Sequence, residues 1–132
     1  MSKFVVDCGV VLRLAREEAA VSAKHKLFAP TLLRSQTLSV LHQAVHAGTL
    51  KEDVARQHIA RINGMPIRLL GDAVLRRRAW EIATKLGWAE TYTAEYIALT
   101  QLQADAFVTR DAKLARRVKG LVETATIDVL LR

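Results

Sequence analysis

Two carboxylates stand just after short apolar runs near opposite ends of the chain. Asp7 follows the run at residues 4–6, and Asp111 lies three positions beyond the run at residues 106–108. Runs of this kind are typical of buried strands, and parallel sheets bind ligands outside the carboxyl ends of their strands. Mg²⁺ and Mn²⁺ prefer carboxylate oxygens. We therefore predict that Asp7 and Asp111 share a metal-binding edge of a sheet.

Two carboxylates alone hold Mg²⁺ weakly, so further oxygen ligands are expected nearby. Gln36 lies three residues after Leu33 and four before Val40, which predicts a place on the inward face of a helix. It is either a buried amide bonded to the sheet or a neutral oxygen facing the edge. Thr93 is a predicted helix N-cap, and Glu95 is either a further ligand or a solvated acid of the first turn.

These candidates need elements to position them, and the chain alternates short apolar runs with amphipathic segments. This alternation predicts an α/β domain around a largely parallel sheet. Predicted helices cover residues 10–18, 30–47, 51–62, 73–86, 93–102 and 112–118, the second beginning at Pro30 and ending before Gly48. Predicted strands cover residues 3–6, 27–29, 66–70 and 106–108, with one or two short final strands at 121–124 and 127–131.

The bulk composition fits one soluble domain with a polyanionic or acidic partner. The chain has 132 residues and a formal net charge of +7, which favours RNA or an acidic protein. The single cysteine, Cys8, is expected to be a small buried hydrophobe in a reducing cytoplasm. We expect no membrane span and no secretory signal.

Basic and aromatic side chains offer weaker indications. Trp80 and Trp88 are interpreted as core or interface anchors, and the arginines at 76–78 as a solvated helix face. Four cations follow Asp111 closely, and either phosphate contact or solvation would explain them. These candidate RNA-binding residues are Lys113, Arg116, Arg117 and Lys119.

Four segments together resemble the PIN-domain family, and within it the VapC-type toxins of bacterial toxin–antitoxin pairs. The segments are residues 4–7, 29–41, 91–99 and 107–115, and the resemblance extends over nearly the whole chain. It implies a three-layer α/β/α PIN-like fold with a largely parallel central sheet. It also implies a metal-dependent endoribonuclease that uses Mg²⁺ or Mn²⁺.

The resemblance assigns roles to residues of the predicted edge. The family pattern has four acids, and Asp7 and Asp111 match two of them. Gln36 stands where the pattern has Glu, and Thr93 where it has Asp. The implied catalytic set is Asp7, Thr109 and Asp111, with Gln36, Thr93 and Glu95 as further candidates.

The resemblance also implies partners and leaves two functions open. Such toxins form homodimers and are silenced by a cognate antitoxin, with the early helices as the expected docking ground. The chain is then either a ribonuclease weakened by the loss of two acids or an inactive PIN module that binds an antitoxin-like protein or RNA. A phosphate-accepting signalling domain is disfavoured because the adjacent acids at its first strand are missing. A P-loop enzyme is excluded because G-x-x-x-x-G-K-[ST] does not occur.

Overall fold

The computed structural model describes residues 2–132 and contains a five-stranded sheet at its centre. All of the strand pairings are parallel, and the spatial order is β3-β2-β1-β4-β5. The strands that chain order defines are β1 (Ser2–Val6), β2 (His25–Pro30), β3 (Ile67–Leu70), β4 (Ala106–Val108) and β5 (Thr124–Ala125).

Helices connect the strands, as parallel pairing requires. They form two groups: α1, α2 and α3 contact one another, whereas α4 packs along α5 and α5 lies against β1, β2 and β4. The result is the predicted three-layer α/β/α architecture. The helices are α1 (Cys8–Glu17), α2 (Leu32–His46), α3 (Glu52–Gly64), α4 (Ala73–Leu86), α5 (Tyr92–Gln103) and α6 (Ala112–Arg117), followed by a 3₁₀ helix at Ile127–Leu131.

The central strands form the floor of the core. Val5 and Val6 of β1 and Phe107 and Val108 of β4 are fully buried, because helices cover both faces of these strands. This burial explains why the strands read as continuous apolar runs rather than as alternating patterns. It also fixes where the two strands end, and therefore where the acids that follow them are placed.

Several local predictions are confirmed and others are wrong at their boundaries. Gly48 follows α2 with φ +78°, as predicted. The predicted bounds of α4 are also confirmed, and the Asp72 carboxylate caps this helix by accepting the N–H of Leu75. Pro30, however, is the last residue of β2 and does not start α2. Thr31 is the N-cap of α2, and the helix begins at Leu32. The segment Ile127–Leu131 is a 3₁₀ helix and not a strand, and the last strand is only Thr124–Ala125.

The predicted buried faces of two helices also need correction. On α2 the buried side chains are Leu33, Thr37 and Leu41, whereas Val40 is 43% exposed. On α4 Trp80 is 69% exposed and is therefore not part of the core. Apolar residues on amphipathic helices do not all turn inward, so helical spacing alone did not separate the buried members from the exposed ones. Within residues 2–132, no helix is both long and apolar enough to span a bilayer.

Candidate functional site

The ends of β1 and β4 bring Asp7 and Thr109 into direct contact. Val6 and Val108 are partners in the parallel register, so the residues that follow them meet at the same edge of the sheet. The Thr109 hydroxyl donates to Oδ2 of Asp7 at 2.7 Å. Oδ1 of Asp7 accepts the backbone N–H of Val10 at 2.9 Å and thereby caps α1. Asp7 is thus held by both the neighbouring strand and its own helix.

Asp111 reaches the same edge through Thr109. Its backbone N–H donates to the Thr109 hydroxyl at 3.1 Å, while its Oδ1 accepts the N–H of Leu114 at 3.1 Å and caps α6. The Thr109 hydroxyl therefore links the two acidic residues that the sequence predicted to lie together. This central group, Asp7–Thr109–Asp111, is called the acidic edge below.

Burial dominates the electrostatics of Asp7. Desolvation raises the pKa of its carboxyl above the ordinary value, and the charge of Asp111 adds to this effect. The hydrogen bonds from Thr109 and Val10 and the charge of Arg110 act in the opposite direction. A buried carboxyl with a raised pKa beside a second acid is a frequent feature of functional sites.

Gln36 is bonded to α5 rather than to the sheet. The Tyr96 hydroxyl donates to its Oε1 at 2.5 Å, across 60 positions of sequence. Gln36 is half-buried and Tyr96 is buried. The alternative of a buried amide bonded to the sheet is therefore wrong in its partner, which is a tyrosine of α5.

The Tyr96 hydroxyl is affected by charges at the start of α1 as well as by its own burial. Burial raises the pKa of its hydroxyl, and the negative charges of Cys8, Asp7 and Glu95 raise it further. These charges act on Tyr96 because the tyrosine lies near the start of α1. In the sequence, Tyr96 stands between Glu95 and the apolar residues of α5. Only this position could have indicated that its hydroxyl is buried and therefore needs a hydrogen-bond acceptor.

Glu95 is half-buried on the first turn of α5. Burial raises the pKa of its carboxyl, and the positive charge of Arg76 partly offsets that rise. Glu95 therefore stays a candidate of the site, and a solvated acid of the first turn stays the alternative.

Thr93 lies within α5 and is not its N-cap, which corrects the prediction. The N-cap is Thr91, and Thr93 is the second residue of the helix. Thr93 and Asp111 nevertheless line one cleft of about 690 Å³, together with Trp88. This cleft, between the end of α4, the start of α5 and α6, is called the α4–α6 cleft below. The structure thus brings Thr93 to the same side of the molecule as the acidic edge.

The four candidate RNA-binding cations separate into distinct groups. Lys113 and Arg117 line the α4–α6 cleft with Asp111. Arg116 lies on the opposite side of α6, in a hollow that it shares with Thr109. Lys119 lines another hollow beside Glu123, which Arg116 also borders, and is outside the α4–α6 cleft.

The side chains at the acidic edge do not fit a tightly bound divalent cation on their own. Within the described residues, no group of three or more His, Cys, Asp and Glu side chains could hold a metal ion. Both oxygens of Asp7 already accept hydrogen bonds, as does Oε1 of Gln36. Two carboxylates and a neutral amide supply too little charge for strong Mg²⁺ binding.

Comparisons with known proteins identify the fold. No family model matches the sequence, and no curated protein matches it either. Among solved structures, PAE2754 from Pyrobaculum aerophilum has a TM-score of 0.77 at 21% identity, covering 98% of this chain and 93% of that one. VapBC2 from Rickettsia felis, bound to a DNA fragment from the promoter, has a TM-score of 0.68 at 6% identity, with 94% and 98% covered. VapBC-1 from nontypeable Haemophilus influenzae has a TM-score of 0.60 at 11% identity, with 96% and 98% covered.

The architecture and these likenesses together define a class. The chain has a PIN-like α/β/α fold with an all-parallel sheet, of the kind found in structures of VapBC complexes. At these identities the likeness extends to the fold, and activity has to be argued from the site itself.

Proposed function

We propose that this protein is a VapC-like toxin whose metal-dependent endoribonuclease chemistry is weakened. The observation that carries the proposal is the acidic edge, where the Thr109 hydroxyl links Asp7 and Asp111 at the ends of adjacent parallel strands. Loop-borne acids at the carboxyl edge of such a sheet are typical of functional sites. We assign Asp7 and Asp111 to metal contact and Thr109 to their positioning.

The weakening follows from the two positions at which the family pattern has acids and this chain has none. Gln36 offers a neutral oxygen that already accepts from Tyr96, and Thr93 offers a hydroxyl in place of a carboxylate. Asp7 and Asp111 would hold Mg²⁺ or Mn²⁺, and the ion would supply an activated water and charge neutralisation at the scissile phosphate. Fewer carboxylates mean a smaller bound fraction, so cleavage is expected to be slow.

RNA is the substrate class that the charge distribution supports. The chain carries 20 basic and 13 acidic side chains, and Lys113 and Arg117 stand in the cleft that reaches Asp111. Cations beside a carboxylate edge attract the phosphate backbone and offset its repulsion by the acids.

An antitoxin is the protein partner that we propose, docked on the early helices. A hollow of about 440 Å³ between α1, α2 and the loop before α3 has an apolar floor that includes Leu12, Val40 and Leu50. Arg13, Arg16 and Arg110 line the same hollow. An amphipathic segment with acidic side chains would match both features, and its contact with Arg110 would extend it to the acidic edge. Homodimer formation is a separate part of the proposal, which light scattering of the free protein tests.

Cleavage of a structured RNA in the presence of Mn²⁺ tests the enzymatic part of the proposal. Wild-type protein is expected to cleave slowly, and Asp7→Ala to abolish the cleavage. The double variant Gln36→Glu/Thr93→Asp should cleave faster, since it returns two carboxylates to the edge. Gln43→Glu is the matched control, because Gln43 is an exposed glutamine of the same helix.

The second candidate function is an inactive PIN module that binds an antitoxin-like protein or RNA. The hydrogen bond between Tyr96 and Gln36 favours it, because this bond satisfies the amide oxygen without a metal ion. Absence of cleavage in the wild type, with cleavage in the double variant, would select this candidate. Rapid wild-type cleavage that Asp7→Ala abolishes would contradict the weakened site and keep the ribonuclease.

A further inference from the structure

The α4–α6 cleft combines one aromatic side chain with cations at the border of the acidic edge. Trp88 follows α4 and is half-buried, so part of its indole remains accessible. Lys113 and Arg117 stand one turn apart on α6 and line the same cleft. A volume of about 690 Å³ lies within the range of sites that bind small organic groups.

The cations of this cleft differ in how firmly they are held. The Arg117 guanidinium donates to the carbonyl oxygen of Leu86 at 2.5 Å, which ties α6 to the end of α4. Arginine has five N–H donors, so others remain for a ligand. Lys113 is exposed and can follow a phosphate as it moves. The cleft therefore has one positioned cation and one mobile cation.

Acids in the cleft limit which part of a ligand can lie where. Asp111 uses Oδ1 to cap α6, so it stays near the base of that helix, and Glu90 is exposed. A phosphate is repelled by both carboxylates and is drawn towards Lys113 and Arg117. An uncharged aromatic group has no such restriction and can approach Trp88 and the apolar side chain of Leu114.

A single-stranded nucleic acid has the alternation of charged and aromatic groups that this cleft presents. Proteins bind such strands by stacking bases on aromatic side chains while cations contact the backbone. We propose that the α4–α6 cleft is a nucleotide subsite, in which an unpaired base stacks on Trp88 and the adjoining phosphate contacts Lys113 and Arg117. This inference rests on the proposed function, since it takes RNA as the ligand, and it adds the residues that select unpaired RNA.

Fluorescence anisotropy with a labelled single-stranded RNA tests the subsite, with EDTA present so that binding is measured without cleavage. Trp88→Leu fills space without an aromatic face, and we expect it to weaken binding by about tenfold, whereas Trp88→Phe should retain most of it. Trp80→Leu is the matched control, since Trp80 is exposed on α4 and lies outside the cleft. The same RNA annealed to its complement should bind more weakly than the single strand.

Lys113→Ala tests the phosphate contact, and it changes an exposed side chain. Binding should weaken. The slope of log K against log salt concentration is negative, and its magnitude should fall by about 0.7. Lys24→Ala is the control, because Lys24 is exposed just before β2, at the opposite edge of the sheet. In a Trp80→Phe background, the remaining Trp88 emission should be quenched when the RNA binds.

The outcomes separate the subsite from the broader function. If the wild type binds the single strand while Trp88→Leu and Lys113→Ala bind equally well, the subsite is overturned and RNA binding stands. If binding leaves the Trp88 emission unchanged, base stacking is overturned. If the wild type binds neither RNA, both the subsite and the RNA substrate of the proposed function are overturned.

Discussion

The Thr109 hydroxyl donates to Oδ2 of Asp7 at 2.7 Å although the two residues are 102 positions apart. The same hydroxyl oxygen accepts the backbone N–H of Asp111. One side chain therefore joins the ends of β1 and β4 and links the Asp7 carboxylate to the backbone of Asp111.

Thr109→Val should destabilise the fold by about 2 kcal/mol, because it leaves a partly buried carboxylate oxygen without its donor. It removes one of the hydrogen bonds that lower the pKa of Asp7, so that pKa should rise further. Urea unfolding measures the first effect. Thr109→Ser keeps the hydroxyl and is the control; a Thr109→Val variant as stable as the wild type would contradict a stabilising hydrogen bond.

Tyr96→Phe should cost about 1 kcal/mol, since it deletes the donor to Gln36 while the ring remains packed. Tyr92→Phe is the matched control on the same helix, because Tyr92 is 55% exposed. Thermal unfolding of the two variants compares the hydroxyls directly. Identical melting temperatures would contradict a stabilising Tyr96–Gln36 bond.

Asp7→Asn should become more stabilising as pH rises from about 4 to about 7. Burial raises the folded-state pKa of Asp7 above its ordinary value of 3.8, so the folded protein binds this proton more tightly than the unfolded chain does. The carboxylate therefore costs no stability below the unfolded pKa, and the full cost is reached above the folded pKa. Asn retains the N-cap. Urea unfolding over this pH range measures the difference, which a pH-independent offset would contradict.

The Cys8 thiol should react slowly with a disulfide reagent such as DTNB. Burial, with a contribution from the charge of Asp7, raises its pKa to about 11. At about pH 8 the reaction should be at least about tenfold slower than in the unfolded protein, because the thiolate is the nucleophile. Stopped-flow absorbance in buffer and in guanidinium compares the two states. Equal rates would show that Cys8 is neither buried nor perturbed.

The parts of the fold that depend on local pattern could be predicted from sequence. Apolar runs followed by Asp7 and Asp111 indicated two strands with acids at their carboxyl ends, and the parallel sheet followed from alternation with helices. The predicted strand at Ile127–Leu131 is wrong because a short apolar run does not distinguish a strand from a helical turn. That this segment lies outside the sheet depends on tertiary contacts, which the local sequence pattern does not contain.

The contacts that complete the site could not be read from the chain. The Tyr96–Gln36 bond joins two helices, and no periodicity states which side chains of separate helices meet. The preference of hydroxyl residues for the N-cap predicts Thr93 there, but Thr91 has the same preference and is the N-cap two residues earlier. The exposure of Trp80 likewise depends on which helix face its neighbours leave open.

Calorimetric titration of Mn²⁺ measures whether the PIN-like edge has kept its acids while its metal binding is weakened. The wild type is expected to bind with a Kd above about 1 mM, and Gln36→Glu/Thr93→Asp to bind at least about tenfold more tightly. Gln43→Glu should match the wild type, and Asp7→Ala should remove binding from the double variant. Micromolar binding by the wild type would contradict the account, as would a double variant that gains no affinity.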